Sequence, residues 1–350
     1  MSFWDGRRVL VTGNTGFKGS WLTLWLSRLG AEVVGLSAGV PTEPSLHDLA
    51  GVGAEAETIK ADVRDLEAVE QGLASARPEV VVHMAAQPLV RRSYEDPVGT
   101  YATNVMGSVH VLDAARRSHD VRVVLVVTSD KCYENRERDR PYSEDEPMGG
   151  RDPYSNSKGC AELVTAAYRA SYGENGGPAI ASARAGNVIG GGDWSQDRLV
   201  PDVMGAALEG RSVVIRNPDA VRPWQHVLNP LSGYLRLVEA LWESRDYAEA
   251  WNFGPDERDA RPVRALLERL AAEWGEQIRW EIDKASNPHE AGLLKLDSSK
   301  ARTRLGWEPL WDLDDAARSI AAFYRALAEG ADVRPVVLEQ IEAFQSGERP

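Results

Sequence analysis

Tyr154 and Lys158 stand four residues apart in Asp152-Pro153-Tyr154-Ser155-Asn156-Ser157-Lys158, a stretch that opens like a helix and runs on amphipathically toward Tyr172. Positions i and i+4 share a helix face, so a phenol and an ammonium placed this way meet the same bound molecule. A free phenol has a pKa near about 10 and is a poor base at neutral pH, whereas a neighbouring cation stabilises the phenolate. The pair is therefore suited to taking the proton of an alcohol as that alcohol is oxidised. A second group of reactive types, Thr128-Ser129-Asp130-Lys131-Cys132-Tyr133, follows the apolar run Val123-Val124-Leu125-Val126-Val127. A hydroxyl, a carboxyl and an ammonium side by side at the end of a buried strand can hold a polyol and move protons. The third is Gly13-Asn14-Thr15-Gly16-Phe17-Lys18-Gly19, directly after Arg8-Val9-Leu10-Val11-Thr12. Glycines between a strand and a helix permit a tight turn and bring backbone N–H groups against a pyrophosphate. A triphosphatase loop needs Gly-Lys-Ser/Thr in that order, and here Lys18 precedes Gly19-Ser20, which excludes it.

These groups need a parallel sheet to bring them together, and the first half of the chain predicts one. Strands are expected at Arg8 to Thr12, Glu32 to Leu36, Thr58 to Ala61, Val80 to His83, Val121 to Thr128 and Ile180 to Ala185, alternating with helical stretches such as Ser20 to Leu29. Unbroken apolar runs suit strands covered on both faces. The expected class is α/β, a Rossmann-type doubly wound parallel sheet with a smaller C-terminal α/β substrate-binding region. The boundary is placed after Gly186, giving 1–186 for the dinucleotide and the reactive groups and 187–350 mainly for substrate, with the chain free to cross back. Beyond that point Pro201, Pro218, Pro223, Pro230 and Pro255 break the alternation. Val263, Leu266, Leu267 and Leu270 fall at helical spacing and read as a core-facing helix, and residues 173–178 read as a surface loop.

At 350 residues there is room for about two domains of roughly 100 to 200 residues each. Forty Lys and Arg against fifty-three Asp and Glu leave a net charge of -13, which repels a polyanion and argues against nucleic-acid binding. Cys132 and Cys160 are too few for a disulfide framework, and no signal-peptide pattern or long apolar span is present, so a soluble cytoplasmic protein is expected. None of the six histidines has metal-ligand spacing, and no metal is expected; His83 reads as a core group and Cys132 as a packing residue. No acid closes the second strand to hold a ribose, yet no Lys or Arg occurs from Ala31 to Leu46 to hold a 2′-phosphate, which favours NAD over NADP.

Taken in order, Gly13-x-x-Gly16-x-x-Gly19, His83-Met84-Ala85-Ala86-Gln87, Asn104, Ser129 and Tyr154-x-x-x-Lys158 resemble the extended short-chain dehydrogenase/reductase superfamily over nearly the whole chain. Thr12 to Trp21, Thr128 to Tyr133, Arg184 to Trp194 and Arg222-Pro223-Trp224-Gln225-His226 resemble the CDP-glucose 4,6-dehydratase family within it. The resemblance implies an NAD used catalytically, held by Gly13, Asn14, Gly16, Phe17, Lys18 and Gly19, with Asp62 and Val63 at the adenine and Ala85, Ala86, Thr103, Tyr154 and Lys158 along the cofactor. It implies CDP-glucose as substrate, gripped by Asn187, Arg198, Arg216 and Arg222. Tyr154, Lys158 and Ser129 would remove the 4-hydroxyl proton, and Asp130 would protonate the departing C6 hydroxyl. Lys131 stands where the dTDP-glucose and GDP-mannose enzymes carry Glu, leaving two roles open: a neutral amine taking the C5 proton, or an ammonium stabilising the enolate. Asn14 replaces a histidine of the subgroup. His289 resembles a late substrate-loop position and is not assigned. A homodimer packed through residues 105–118 and 155–172 is implied. The alternatives are a dehydratase for another nucleotide sugar, a nucleotide-sugar 4-epimerase, and a catalytically silent dinucleotide-binding module, which should have lost its tyrosine or lysine, whereas Tyr154 and Lys158 are both present.

Overall fold

Short β-branched runs alternating with amphipathic stretches produce seven parallel strands: β1 (Arg8–Thr12), β2 (Glu32–Ser37), β3 (Glu57–Lys60), β4 (Val80–His83), β5 (Val123–Val127), β6 (Ala179–Arg184) and β7 (Ala250–Asn252). Their order in the computed structural model is β7-β6-β5-β4-β1-β2-β3. The structure describes residues 2–275, 278–283 and 293–350. Six strands lie within a residue or two of the sequence expectation. β7 was not expected: three residues carry too little pattern to be read, and it pairs with β6 only because the chain returns to the sheet from its second half.

Alternation along each strand divides the core in two. Val123, Leu125 and Val127 of β5 join one cluster while Val124 and Val126 join the other, each with relative exposure of 8% or less. The first cluster is closed by helices α1 (Phe17–Arg28), α5 (Leu228–Glu243) and α6 (Leu313–Ala328), through Trp21, Leu24, Leu231, Val238, Ile320 and Phe323. The second is closed by α2 (Leu66–Ala76), α3 (Gly107–Arg117) and α4 (Pro153–Tyr172), through Val69, Leu73, Val111, Leu112, Val164 and Tyr168. Each buried aliphatic side chain contributes about 1.5–3 kcal/mol, so sheet and helices hold each other in register. The helix expected from Val263 is present (Val263–Trp274), with Val263, Leu266, Leu267 and Leu270 buried.

The second half adds three two-stranded ladders: Val188–Ile189 with Gln225–His226, Val221–Pro223 with Ala260–Pro262, and Val213–Ile215 with Trp280–Ile282. Among the described residues no helix is long and apolar enough to cross a membrane. The strand order reverses between β1 and β4, and in open α/β sheets that is where a crevice for a ligand opens.

Candidate active site

At the end of β1 the chain turns so tightly that side chains are excluded. Gly13 has φ +73°, and a Cβ there would stand 2.8 Å from Ala85 Cα; one on Gly19 would stand 2.1 Å from the Gly13 carbonyl oxygen. Thr12 Oγ1 accepts hydrogen bonds from the Met84 and Ala85 N–H groups, both at 3.1 Å, and lies 2.7 Å from His83 Nδ1, fixing the turn against the end of β4. Helix α1 then starts from Gly16 with no side-chain cap and no acid in its first turn. Its free N–H groups and positive end therefore face the crevice, which is what a pyrophosphate needs.

The crevice is a cavity of about 1240 Å³. Gly13, Gly16, Phe17, Lys18, Gly19, Asp62, Val63, Ala85, Ala86 and Thr103 line it, and so do Asn187, Arg198 and Arg222. Ser129, Asp130, Lys131, Tyr154 and Lys158 line it as well. Two expected residues are not on the lining. Asn14 is fully buried, its Nδ2 donating to Thr58 Oγ1 at 2.7 Å and its amide filling the space left by Gly35, so it shapes the turn from behind. Arg216 is turned to Asp197, with Nη2 3.3 Å from the Asp197 carbonyl oxygen and 3.6 Å from Oδ1. His289 lies outside the described residues.

Helix α4 presents the phenol and the ammonium. Asp152 caps it by accepting from Ser155 N at 2.9 Å, and Pro153 enters its first turn without losing a bond, so the helix begins one residue before Tyr154. Ser157 Oγ links this turn to Asn104, whose Nδ2 donates to it at 2.9 Å and to the Gln87 carbonyl oxygen at 3.0 Å. Asn104 and Thr103 sit on a π-turn (Ala102–Met106), a widening that recurs at functional sites. Burial pushes the Tyr154 phenol up to about 12, against the Ser129 hydroxyl and the Arg198 charge, which favour the phenolate. Burial lowers Lys158 to about 8, with Glu162 one turn further along opposing the shift.

Ser129 caps the short turn Asp130–Cys132 at the end of β5 and donates to Asp130 Oδ1 at 2.9 Å. Asp130 is 2% exposed, and its Oδ2 is buried without a hydrogen-bond partner. Burial raises this carboxyl above the usual carboxylate range, with Lys131, Ser129 and Arg222 pulling the other way. A Cβ on Gly186 would lie 1.9 Å from Asp130 Oδ2, so only glycine leaves the carboxyl its place. Lys131 Nζ is 5.9 Å from the Tyr154 ring centroid. Cys132 is fully buried and its thiol is raised well above the ordinary value by burial, so it packs and does not attack.

Three features escaped the sequence reading. Lys18, expected at the cofactor, is half-buried and donates to Tyr234 Oη at 2.9 Å, a contact the sequence does not signal; desolvation and the charges of Lys158 and Arg198 lower it to about 7. Under the catalytic strand ends, Glu162 accepts from Thr128 Oγ1, from Ser182 Oγ at 2.7 Å and from Arg184 Nη2 at 2.8 Å, an ion pair closed off from water. At the cavity wall Arg91 Nη1 lies 3.2 Å from Asp197 Oδ1. No local spacing signals these contacts, since the partners are distant in the chain. Among the described residues no group of three or more His, Cys, Asp or Glu side chains is placed to hold a metal.

The chain is 48% identical over 351 aligned residues to a CDP-glucose 4,6-dehydratase of Salmonella typhimurium, covering 99% of this chain and 98% of that one. Its fold matches the dTDP-glucose 4,6-dehydratase DesIV of Streptomyces venezuelae, solved with NAD and TYD bound, at a TM-score of 0.78 and 25% identity over 94% of this chain and 99% of the other. It also matches the UDP-glucose 4-epimerase of Thermus thermophilus, solved with NAD, at a TM-score of 0.77 and 25% identity over 91% and 99% of the two chains. A family model described as GDP-mannose 4,6 dehydratase matches residues 10–320. With its glycine turn, its Tyr154 and Lys158 pair and its buried Asp130 in one cavity, the chain belongs to the GDP-mannose 4,6-dehydratase family of extended short-chain dehydrogenases/reductases.

Proposed function

We propose that the chain converts CDP-glucose to CDP-4-dehydro-6-deoxyglucose, with NAD as a cofactor used and restored in each turnover. The observation that carries this reading is a buried Asp130, its carboxyl shifted toward the protonated form by burial, sharing a cavity with Tyr154 and Lys158, in a chain matching a CDP-glucose 4,6-dehydratase end to end. NAD supplies a hydride acceptor for C4 of the sugar and a hydride donor for C6. The turn Gly13–Gly19, with no room for a Cβ at Gly13 or Gly19, and the uncapped start of α1 fit its pyrophosphate, while Asp62, Val63, Ala85, Ala86 and Thr103 hold the rest. Ser37 and Gly39 close the end of β2 against Thr15 with hydroxyl and carbonyl groups, which suits a free ribose better than a phosphorylated one.

Tyr154 accepts the proton of the 4-hydroxyl, and the Lys158 ammonium together with Ser129 stabilises the phenolate that does so. The resulting 4-ketone acidifies the hydrogen on C5. Lys131, on the same short turn as Asp130, takes the C5 proton as a neutral amine, stabilises the enolate as the ammonium so formed, and returns the proton to C5 when C6 is reduced. Asp130 delivers its proton to the C6 hydroxyl, and water departs. Asn187, Arg198, Arg216 and Arg222 grip the nucleotide diphosphate, for which the planar guanidinium fork is suited. The same reading assigns 1–186 to cofactor and chemistry and 187–350 mainly to the nucleotide sugar, with β7 as the return crossing. It takes the protein as a cytoplasmic homodimer; Met106 and Leu163, exposed by 47% and 60%, offer apolar contacts on the two helical stretches involved.

Asp130→Asn is the test. An epimerase needs no proton donor at C6, whereas a dehydratase does, so loss of water from the sugar should fall by about 10²–10⁴-fold in this variant. Undiminished turnover of CDP-glucose by Asp130→Asn would contradict the assignment.

A further inference from the structure

Two arginines from different halves of the chain converge on one carboxylate at the cavity wall. Arg91 stands on the helix Val90–Glu95, beside the cofactor turn, and Arg216 follows the strand Val213–Ile215 of the second half. Between them Asp197 places Oδ1 3.2 Å from Arg91 Nη1 and 3.6 Å from Arg216 Nη2, and its carbonyl oxygen takes a hydrogen bond from the latter at 3.3 Å. Asp197 and Arg91 line the cavity, and Arg216 is drawn off it. The backbone at Asp197 has φ +59°, in the left-handed region that a non-glycine residue occupies at some cost. The next residue, Arg198, is held in turn by Asp193 at 3.1 Å.

An anion bridging guanidinium groups across a cavity wall is the arrangement a diphosphate would occupy. The resident carboxylate carries one charge, whereas a diphosphate carries at least two with more acceptor oxygens, so the exchange favours the ligand. It is also cheap to make. The three side chains are 37%, 42% and 25% exposed, and ion pairs open to solvent contribute little to stability. We propose that Asp197 is a built-in stand-in for the substrate diphosphate: a nucleoside diphosphate displaces it, takes Arg91 and Arg216, and draws Arg216 into the site. Arg91 thereby becomes a substrate-binding residue contributed by the cofactor half. The Asp197 carboxylate competes with substrate and sets how loosely the site holds it in the open state. The identity of the diphosphate as part of a nucleotide sugar rests on the function proposed above, while the exchange itself does not depend on the base.

The experiment is calorimetric titration of the full-length protein, unsubstituted and as Asp197→Asn, with CDP and separately with cytidine. Asparagine tolerates the left-handed backbone and removes only the charge. Asp197→Gly, free of any backbone penalty, is the second variant should the first fold poorly. Removal of the carboxylate should tighten CDP at least threefold and leave cytidine unchanged, and Arg91→Met should weaken CDP tenfold or more. CDP affinity tightened by less than threefold in the carboxylate-free variants, equal tightening of cytidine, or an Arg91→Met protein that binds CDP as before would overturn the proposal. Should the unsubstituted protein fail to act on CDP-glucose while Asp197→Asn still tightens CDP, the substrate assignment falls and the exchange stands.

Discussion

In the proposed reaction the dehydration step turns on one carboxyl and the space made for it. Burial shifts Asp130 toward its protonated form, and the carboxyl fits because Gly186 has no side chain. Gly186→Ala should therefore cost about as much turnover as removing a general acid, on the order of 10²–10⁴-fold, with circular dichroism unchanged. Turnover within a few-fold of the parent would show that the carboxyl is not where the proton is given. Lys158 makes a second prediction. Burial brings it down to about 8, so its positive charge is present below that pH and lost above it. Turnover should decline on the alkaline side of about 8, and a profile flat to pH 10 would mean that the ammonium is not what stabilises the phenolate. Single residues were the most legible part of the sequence where the spacing was local. Tyr154 with Lys158, and Ser129 with Asp130, could be read because a helix face or a strand end joins them. Lys18 with Tyr234, and Arg91 with Asp197, could not, because only the folded chain brings such distant positions together.

At the next scale, α4 carries Tyr154, Lys158 and Glu162 at successive turns, and Glu162 ties that face to β5 and β6 through Thr128, Ser182 and Arg184. Burial alone would raise this carboxyl, but the Arg184 guanidinium and three hydrogen bonds outweigh it and hold it below the ordinary carboxylate range. Its contribution to stability is therefore present above the unfolded carboxylate pKa and lost as pH falls through the lower folded value. Glu162→Gln leaves Arg184 charged in the interior, and denaturant unfolding should show a loss of about 3–5 kcal/mol. An unchanged midpoint would mean that the cluster is not a structural tie. The element itself was readable from Asp152-Pro153, a cap followed by a first-turn proline. β7 was not, since three residues show no period and its partner lies far back in the chain.

Across the whole molecule, a net charge of -13 surrounds a cavity for an anionic substrate, so binding depends on local arginines rather than on the general field. The parallel sheet was legible because strands covered on both faces must be apolar throughout, as β5 is. The ladders of the second half were not, because strands of two or three residues punctuated by proline carry little pattern. At this scale the prediction concerns assembly. Sedimentation should give twice the chain mass, and Met106→Glu with Leu163→Glu should give the chain mass itself. A monomeric parent protein would remove the dimer.

The most direct measurement is mass spectrometry of the sugar nucleotide after the protein is incubated separately with CDP-, dTDP-, UDP- and GDP-glucose, each with and without added NAD. CDP-glucose should lose the mass of one water and the other three should not. Unchanged mass for all four would contradict the dehydratase assignment and point to an epimerase, whose product weighs the same as its substrate.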